Sequence, residues 1–191
     1  MRRPITAAAV LLLALLGACG GSDDPSPAGD GEPAATSAPA DADDAADGEP
    51  SELLDTCEAV SVEEVGAILG GTFTSELGPF DACEFDQEDP RATSFSVDAQ
   101  PLSELGGGFD VYRSGSEAAF SGAQQVDVPG VGDEAFITTG TIGGGTNVQL
   151  QAATLVDGQV LTVSLTQASG IAEDVLVDQA TQLLTLVASK A

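Results

Sequence analysis

Thirty-one carboxylates and three cysteines carry most of the reactive chemistry open to this sequence, because it contains no histidine. Histidine is the commonest general base, the commonest metal ligand and the one side chain that titrates near neutrality when unperturbed. Its absence excludes Ser-His-Asp and Cys-His catalysis within the chain. The sequence also holds no G-x-S-x-G, S-x-x-K, P-loop or zinc-ligand spacing. What remains is carboxylate chemistry: calcium held by converging oxygens, or glycoside hydrolysis by a pair of acids.

The densest acidic group is Asp81, Glu84, Asp86, Glu88 and Asp89. On a strand Glu84, Asp86 and Glu88 share one face, the pattern of a solvated sheet edge blunted by charge. Alternation splays the other carboxylates away, and no glycine-bearing loop organises them as calcium sites require. Carbohydrate sites lean on aromatic platforms, and the chain has no Trp. Gly130-Val131-Gly132-Asp133-Glu134-Ala135 spells the letters G-x-G-x-x-A. It precedes the β-prone Phe136-Ile137-Thr138-Thr139, where a dinucleotide site needs a helix N-terminus. Its glycines are expected to serve a turn, and Gly143-Gly144-Gly145 a loop. No catalytic residue, metal or cofactor is expected.

The cysteines divide by context. Arg2 and Arg3 precede an apolar run, Ile5 to Leu16, that is too short to span a bilayer. It ends in Leu16-Gly17-Ala18-Cys19, which resembles the lipobox of bacterial lipoproteins at all four positions. That resemblance implies a signal peptide over 1–18, cleavage before Cys19 and a diacylglycerol on the Cys19 sulfur. The plainer alternative is an ordinary signal peptide with Cys19 a bystander. Two or more acyl chains, each methylene worth about 0.8 kcal/mol, anchor stably where one chain is marginal. Cys57 and Cys83 then form an even pair, as an oxidising compartment favours. A bridge between them would be worth about 3 kcal/mol. A paired-thiol site is the functional alternative, with neither C-x-x-C spacing nor an adjacent base behind it.

From Gly20 to Pro50 the sequence is Ala, Gly, Pro, Ser and Asp, with nine acids and no base. Such a segment cannot bury enough surface to offset chain entropy. Residues 19–50 are therefore expected to form a lipid-anchored acidic tether, spanning about 30 Å as a coil. Asp41–Asp47 lacks EF-hand spacing and reads as part of that spacer. Beyond it, three cations stand against twenty-two acids. A field of that sign repels nucleic acid and anionic headgroups. Arg91 and Arg113 are expected in surface ion pairs of little energetic worth.

Residues 51–191 must supply the scaffold, and their pattern predicts one α+β domain. Ser61-Val62-Glu63-Glu64 is a capping box, followed by Val62, Val65, Ile68 and Leu69 at helical spacing until Gly70-Gly71. Extended segments are expected at Phe73, at Ala82–Asp86 and at Thr93–Gln100, where Phe95, Val97 and Ala99 share a face. Ser116–Ser121 is read as a short helix burying Ala119 and Phe120, and Glu134–Thr139 as a strand. Asn147–Val156 and Gln159–Thr166 flank Asp157-Gly158, the preferred pair of a type I′ hairpin. A last helix runs from about Ile171 to Ala188, with Ala172, Leu176, Ala180, Leu183, Leu184 and Val187 as its stripe. The expected architecture is a twisted antiparallel sheet, helices on one face and water on the other.

Asp55-Thr56-Cys57, Ala82-Cys83-Glu84-Phe85 and Val128-Pro129-Gly130-Val131-Gly132-Asp133-Glu134-Ala135-Phe136 occur in that order behind the lipobox and tether. This arrangement resembles small actinobacterial cell-envelope lipoproteins with an uncharacterised Cys-pair domain. More distantly it is similar to the extracellular sensor domain of a mycobacterial Ser/Thr kinase. The resemblance covers about Ser51 to Ala188 and implies a helix-flanked antiparallel sheet with Cys57 and Cys83 oxidised. Phe85 stands where such proteins often carry Trp, and the kinase domain has more cysteines. The function expected is a non-catalytic extracytoplasmic binding or sensing module, membrane-held through lipid on Cys19. The alternative is an accessory envelope protein that holds a partner protein at the membrane, with a carboxylate-based hydrolase more remote. The partner expected is an envelope protein or a small ligand, its identity not specified by the sequence, and not a nucleic acid.

Overall fold

Asp55 opens the folded part by accepting a hydrogen bond from the Glu58 amide, which caps a single helical turn, α1 (Thr56–Ala59). The computed structural model describes residues 52–167 and 170–191. Cys19, the 1–18 leader and the 19–50 tether lie outside the described residues. Helix α2 (Val62–Leu69) starts at the Ser61–Glu64 capping box, with both reciprocal hydrogen bonds formed, and ends at Gly70 in positive φ.

Seven strands follow: β1 (Phe73–Leu77), β2 (Cys83–Gln87), β3 (Ser94–Pro101), β4 (Ser121–Asp127), β5 (Glu134–Thr141), β6 (Gln149–Val156) and β7 (Gln159–Thr166). Helix α3 (Gly108–Ala118) separates β3 from β4, and α4 (Glu173–Ala188) closes the chain. The strands form one antiparallel sheet in the order β1-β2-β3-β7-β6-β5-β4. Two meanders thus meet where β3 pairs with β7. The β6–β7 hairpin turns on Asp157 and Gly158, both in positive φ, as a type I′ turn demands.

On one face Phe85, Phe95, Val97, Leu161, Val163 and Leu165 are buried under α1, α2 and α4. Phe85 and Phe95 are cross-strand partners with ring centroids 5.1 Å apart. Helix α4 brings Leu176, Ala180, Leu183, Leu184 and Val187 onto this core. Truncating one of those leucines to alanine removes about 2–5 kcal/mol. Ala172 belongs to the expected stripe but is exposed, because it is the N-cap and sits before the first turn.

The opposite face differs from the sequence expectation, since it is not uniformly wet. Helix α3 lies on its β4–β6 half, and Phe109 packs with Phe136, Ala153 and Val160 in a second, smaller core. The Phe109 and Tyr112 rings stand 5.4 and 6.3 Å from that of Phe136. The expected short helix at Ser116–Ser121 is therefore the tail of a helix that begins eight residues earlier by sequence, at Gly108. Its buried residues are Phe109 and Ser116, while Ala119 is exposed and Phe120 only partly covered. Strand β4 follows directly and bulges between Ser121 and Gln124, where Gly122 takes positive φ.

Candidate functional site

Strand β2 pairs with β3 only as far as Cys83 opposite Val97, while β3 continues to Pro101 with β7 on its other side. The outer edge of Asp98–Pro101 therefore has no strand partner. A groove of about 650 Å³ runs along it, walled by Leu53 and Leu54, by Leu77 and Phe80, and by Glu104. Each wall is fixed. The Leu54 amide donates to Gln159 Oε1 at 3.1 Å, and the Thr56 hydroxyl donates to the Val97 carbonyl at 3.3 Å. Behind them the Cys57–Cys83 disulfide, with a Cα separation of 5.1 Å, joins α1 to the start of β2.

The far wall is the β1–β2 connection. Gly78 N–H bonds to the Ala82 carbonyl at 2.8 Å and closes a tight loop. Inside that loop Phe80 and Asp81 both have φ of 60°, the left-handed region that L side chains avoid. Each such residue costs about 1–2 kcal/mol. The result is a phenyl ring that is 96% exposed, beside Leu77 at 68% and Leu53 at 41%. Three of the large exposed apolar side chains thus gather at one groove, which single scattered surface hydrophobes do not do.

The lining carries Asp55, Asp81, Asp98 and Glu104 and no cation. Burial pushes the half-buried Asp98 carboxyl up from the usual aspartate range, and the charge of Asp81 pushes the same way. A hydrogen bond from the Ala99 amide works against both. The groove is thus acidic and apolar together.

Beyond α3 the second face is open and polar. Glu76 faces Glu84 across β1 and β2, and one oxygen from each, with one from Asp86, lie within 4.8 Å of one another. A shallow hollow of about 180 Å³ continues over Ser94, Ser96, Ser164 and Thr166. Glu84 and Asp86 share the face the sequence predicts, but Glu88 lies past the end of β2 in the following turn. Asp81 and Asp89 also lie in turns. With one oxygen each, these three carboxylates fill at most half of the six to eight positions that calcium takes.

Around Arg113 a third hollow, about 300 Å³, includes the Val128–Ala135 turn. The guanidinium pairs with Asp127 and sits 5.2 Å over the Phe136 ring. The turn is a hairpin connection followed by β5, as its β-prone continuation requires. Gly132 is obligatory there: φ is 60°, and a Cβ would come 2.4 Å from the Leu155 carbonyl oxygen. Arg91, expected in an ion pair, makes none among the described residues, and the second pair is Lys190 with Glu64 at 2.8 Å.

The sequence predicts the disulfide cysteines and the Glu84–Asp86 face but not the groove. Phe80 was the available signal, an aromatic after Gly78-Pro79 and outside any periodic run. Set against known proteins, the chain matches no family model, no curated protein and no solved structure. Among the described residues no helix is long and apolar enough to cross a membrane.

Proposed function

We propose that this chain is a non-catalytic binding module held by lipid on Cys19 at the outer face of a membrane, with its partner seated in the β3-edge groove. The observation that carries this reading is the gathering of Leu53, Leu77 and Phe80 beside an unpaired strand edge. Exposed apolar side chains gathered in one place with polar groups around them mark a protein-contact surface. The same gathering favours the accessory reading, in which a partner protein is held at the membrane and not converted. The chain has no histidine, and Arg113 and Lys190 are engaged by Asp127 and Glu64, so acid–base work would fall to carboxylates alone. The lipobox-like Leu16-Gly17-Ala18-Cys19 and the likeness to actinobacterial envelope lipoproteins support the extracytoplasmic address.

Two measurements test it. Cys19→Ala releases the protein from the membrane fraction, and retention after a salt wash would refute the lipid anchor. A photoreactive residue at position 80 of the full-length protein in intact cells gives a discrete adduct, absent when the same residue replaces Ile142, an exposed apolar side chain away from the groove. Identical patterns from both positions would refute the groove as a binding site.

A further inference from the structure

We propose that the occupant of the groove is a basic, extended peptide segment of a partner protein, with an arginine set against Phe80 and the groove carboxylates; this deepens, and rests on, the binding-module reading.

The free edge comes first. Asp98 and Gln100 turn their main-chain groups to β7, so the outer edge offers the Ala99 and Pro101 carbonyls; Pro101 has no N–H, and the Ala99 amide donates to the Asp98 carboxyl. Two carbonyls at strand spacing seek donors, and the N–H groups of an extended segment laid along the edge supply them. Side chains of such a segment alternate, so every second one meets the walls formed by Leu53, Leu77 and Phe80.

Charge then selects among occupants. Four carboxylates and no cation line the groove. The chain's own residues 20–50 carry nine acids and no base, so that segment is repelled. A second copy brings the same excess of acids over cations, and like charges disfavour it equally. A cationic segment is attracted, and the half-buried Asp98 beside Asp81 gains most from it. Arginine fits better than lysine, because its planar guanidinium both forks onto carboxylates and stacks on an aromatic face. Phe80 supplies that face, held out of the core by its left-handed backbone.

The test uses the full mature chain in nanodiscs, titrated with a synthetic peptide alternating arginine and leucine and with its citrulline counterpart. The arginine peptide saturates a single site, and the citrulline peptide binds about tenfold more weakly or worse, since the charge is lost while shape is kept. Phe80→Ala and Asp98→Asn each weaken binding about fivefold, within the range of one cation–aromatic or ion-pair contact. The pair Glu76→Gln with Asp86→Asn, on the other face, leaves affinity unchanged. Phe80 is fully exposed, so its removal does not threaten the fold, and the isosteric Asp98→Asn gives an independent reading. Equal binding of the citrulline peptide, or equal losses from the Glu76 and Asp86 changes, would overturn the proposal. So would spermidine displacing the peptide at equal concentration, which would reassign the groove to small polyamines. A position-80 adduct without arginine preference sinks the basic-peptide assignment alone; loss of that adduct sinks the binding module as well.

Discussion

Glu76 and Glu84 sit directly opposite each other on β1 and β2, on the face that α3 leaves open. Two like charges in cross-strand register repel, whereas an opposite pair contributes roughly 0.2–1 kcal/mol. Glu76→Lys is therefore expected to stabilise the domain by about 0.5 kcal/mol at low salt, and the gain to shrink as salt screens it. Urea unfolding at two ionic strengths measures this. Destabilisation at low salt would contradict the argument.

The same carboxylates invite calcium without satisfying it. Millimolar calcium is expected to raise the melting temperature little, with the gain fading at physiological salt. Calorimetric titration in about 0.15 M salt should find no saturable site. A micromolar site abolished by Glu84→Gln or Asp86→Asn would refute this.

Asp98 has its folded pKa raised, chiefly by burial, so its ionised form is disfavoured in the native state. By linkage, the stability it contributes is full below its unfolded pKa and is lost as pH rises through the folded value. Asp98→Asn removes that penalty and should raise the melting temperature at pH 7. The two proteins should converge below about pH 3, where aspartate is protonated in both states. A constant offset across the range would exclude Asp98 as the source.

Glu64 behaves in the opposite sense. Its hydrogen bond from Lys190, then those from the Ser61 amide and hydroxyl, hold its carboxyl down at about 2. Its contribution is therefore full above the unfolded pKa near 4.5 and is lost as pH falls toward 2. Carbon-detected NMR titration should place the Glu64 midpoint near that value, and Lys190→Gln should raise it. Ser61→Ala, which deletes the helix cap, is expected to cost about 1 kcal/mol at pH 7 by urea unfolding.

Reduction of the Cys57–Cys83 bridge should lower stability by about 3 kcal/mol, because it frees the loop it closes in the unfolded chain. Denaturant unfolding with and without reductant gives the figure. Both thiols free in protein taken from an oxidising compartment would contradict the bridge.

The elements whose own residues carry the periodicity were legible. The capping box at Ser61, the alternation of Phe95 and Val97, the Asp157-Gly158 turn and the Leu176–Val187 stripe all predict what forms. Helix α3 was not, since Gly106-Gly107-Gly108 and its serines resemble a loop. Its one signal is Phe109, Tyr112 and Ser116 at helical spacing. Strand β4 is hidden by its bulge and by an edge position that demands little burial. The groove was illegible for a different reason. It depends on β3 outrunning β2 and on a left-handed turn at Phe80, and both are facts of register and backbone that no composition encodes. Glu76 joined Glu84 only through strand pairing.

The order of the strands has a consequence for how the chain comes to be folded. Every neighbouring pair in the sheet is consecutive in sequence except β3 and β7. A chain delivered N-terminus first can complete the β1-β2-β3 meander and lock it with the Cys57–Cys83 bridge while β7 is still absent. During that interval the inner edge of β3 is unpaired, and Phe95 and Val97 have no α4 above them. Closing such a distant contact is slow relative to hairpin formation. The interval before Val163 reaches Val97 is therefore when this protein is most exposed to aggregation, and a holdase would act on that half-sheet.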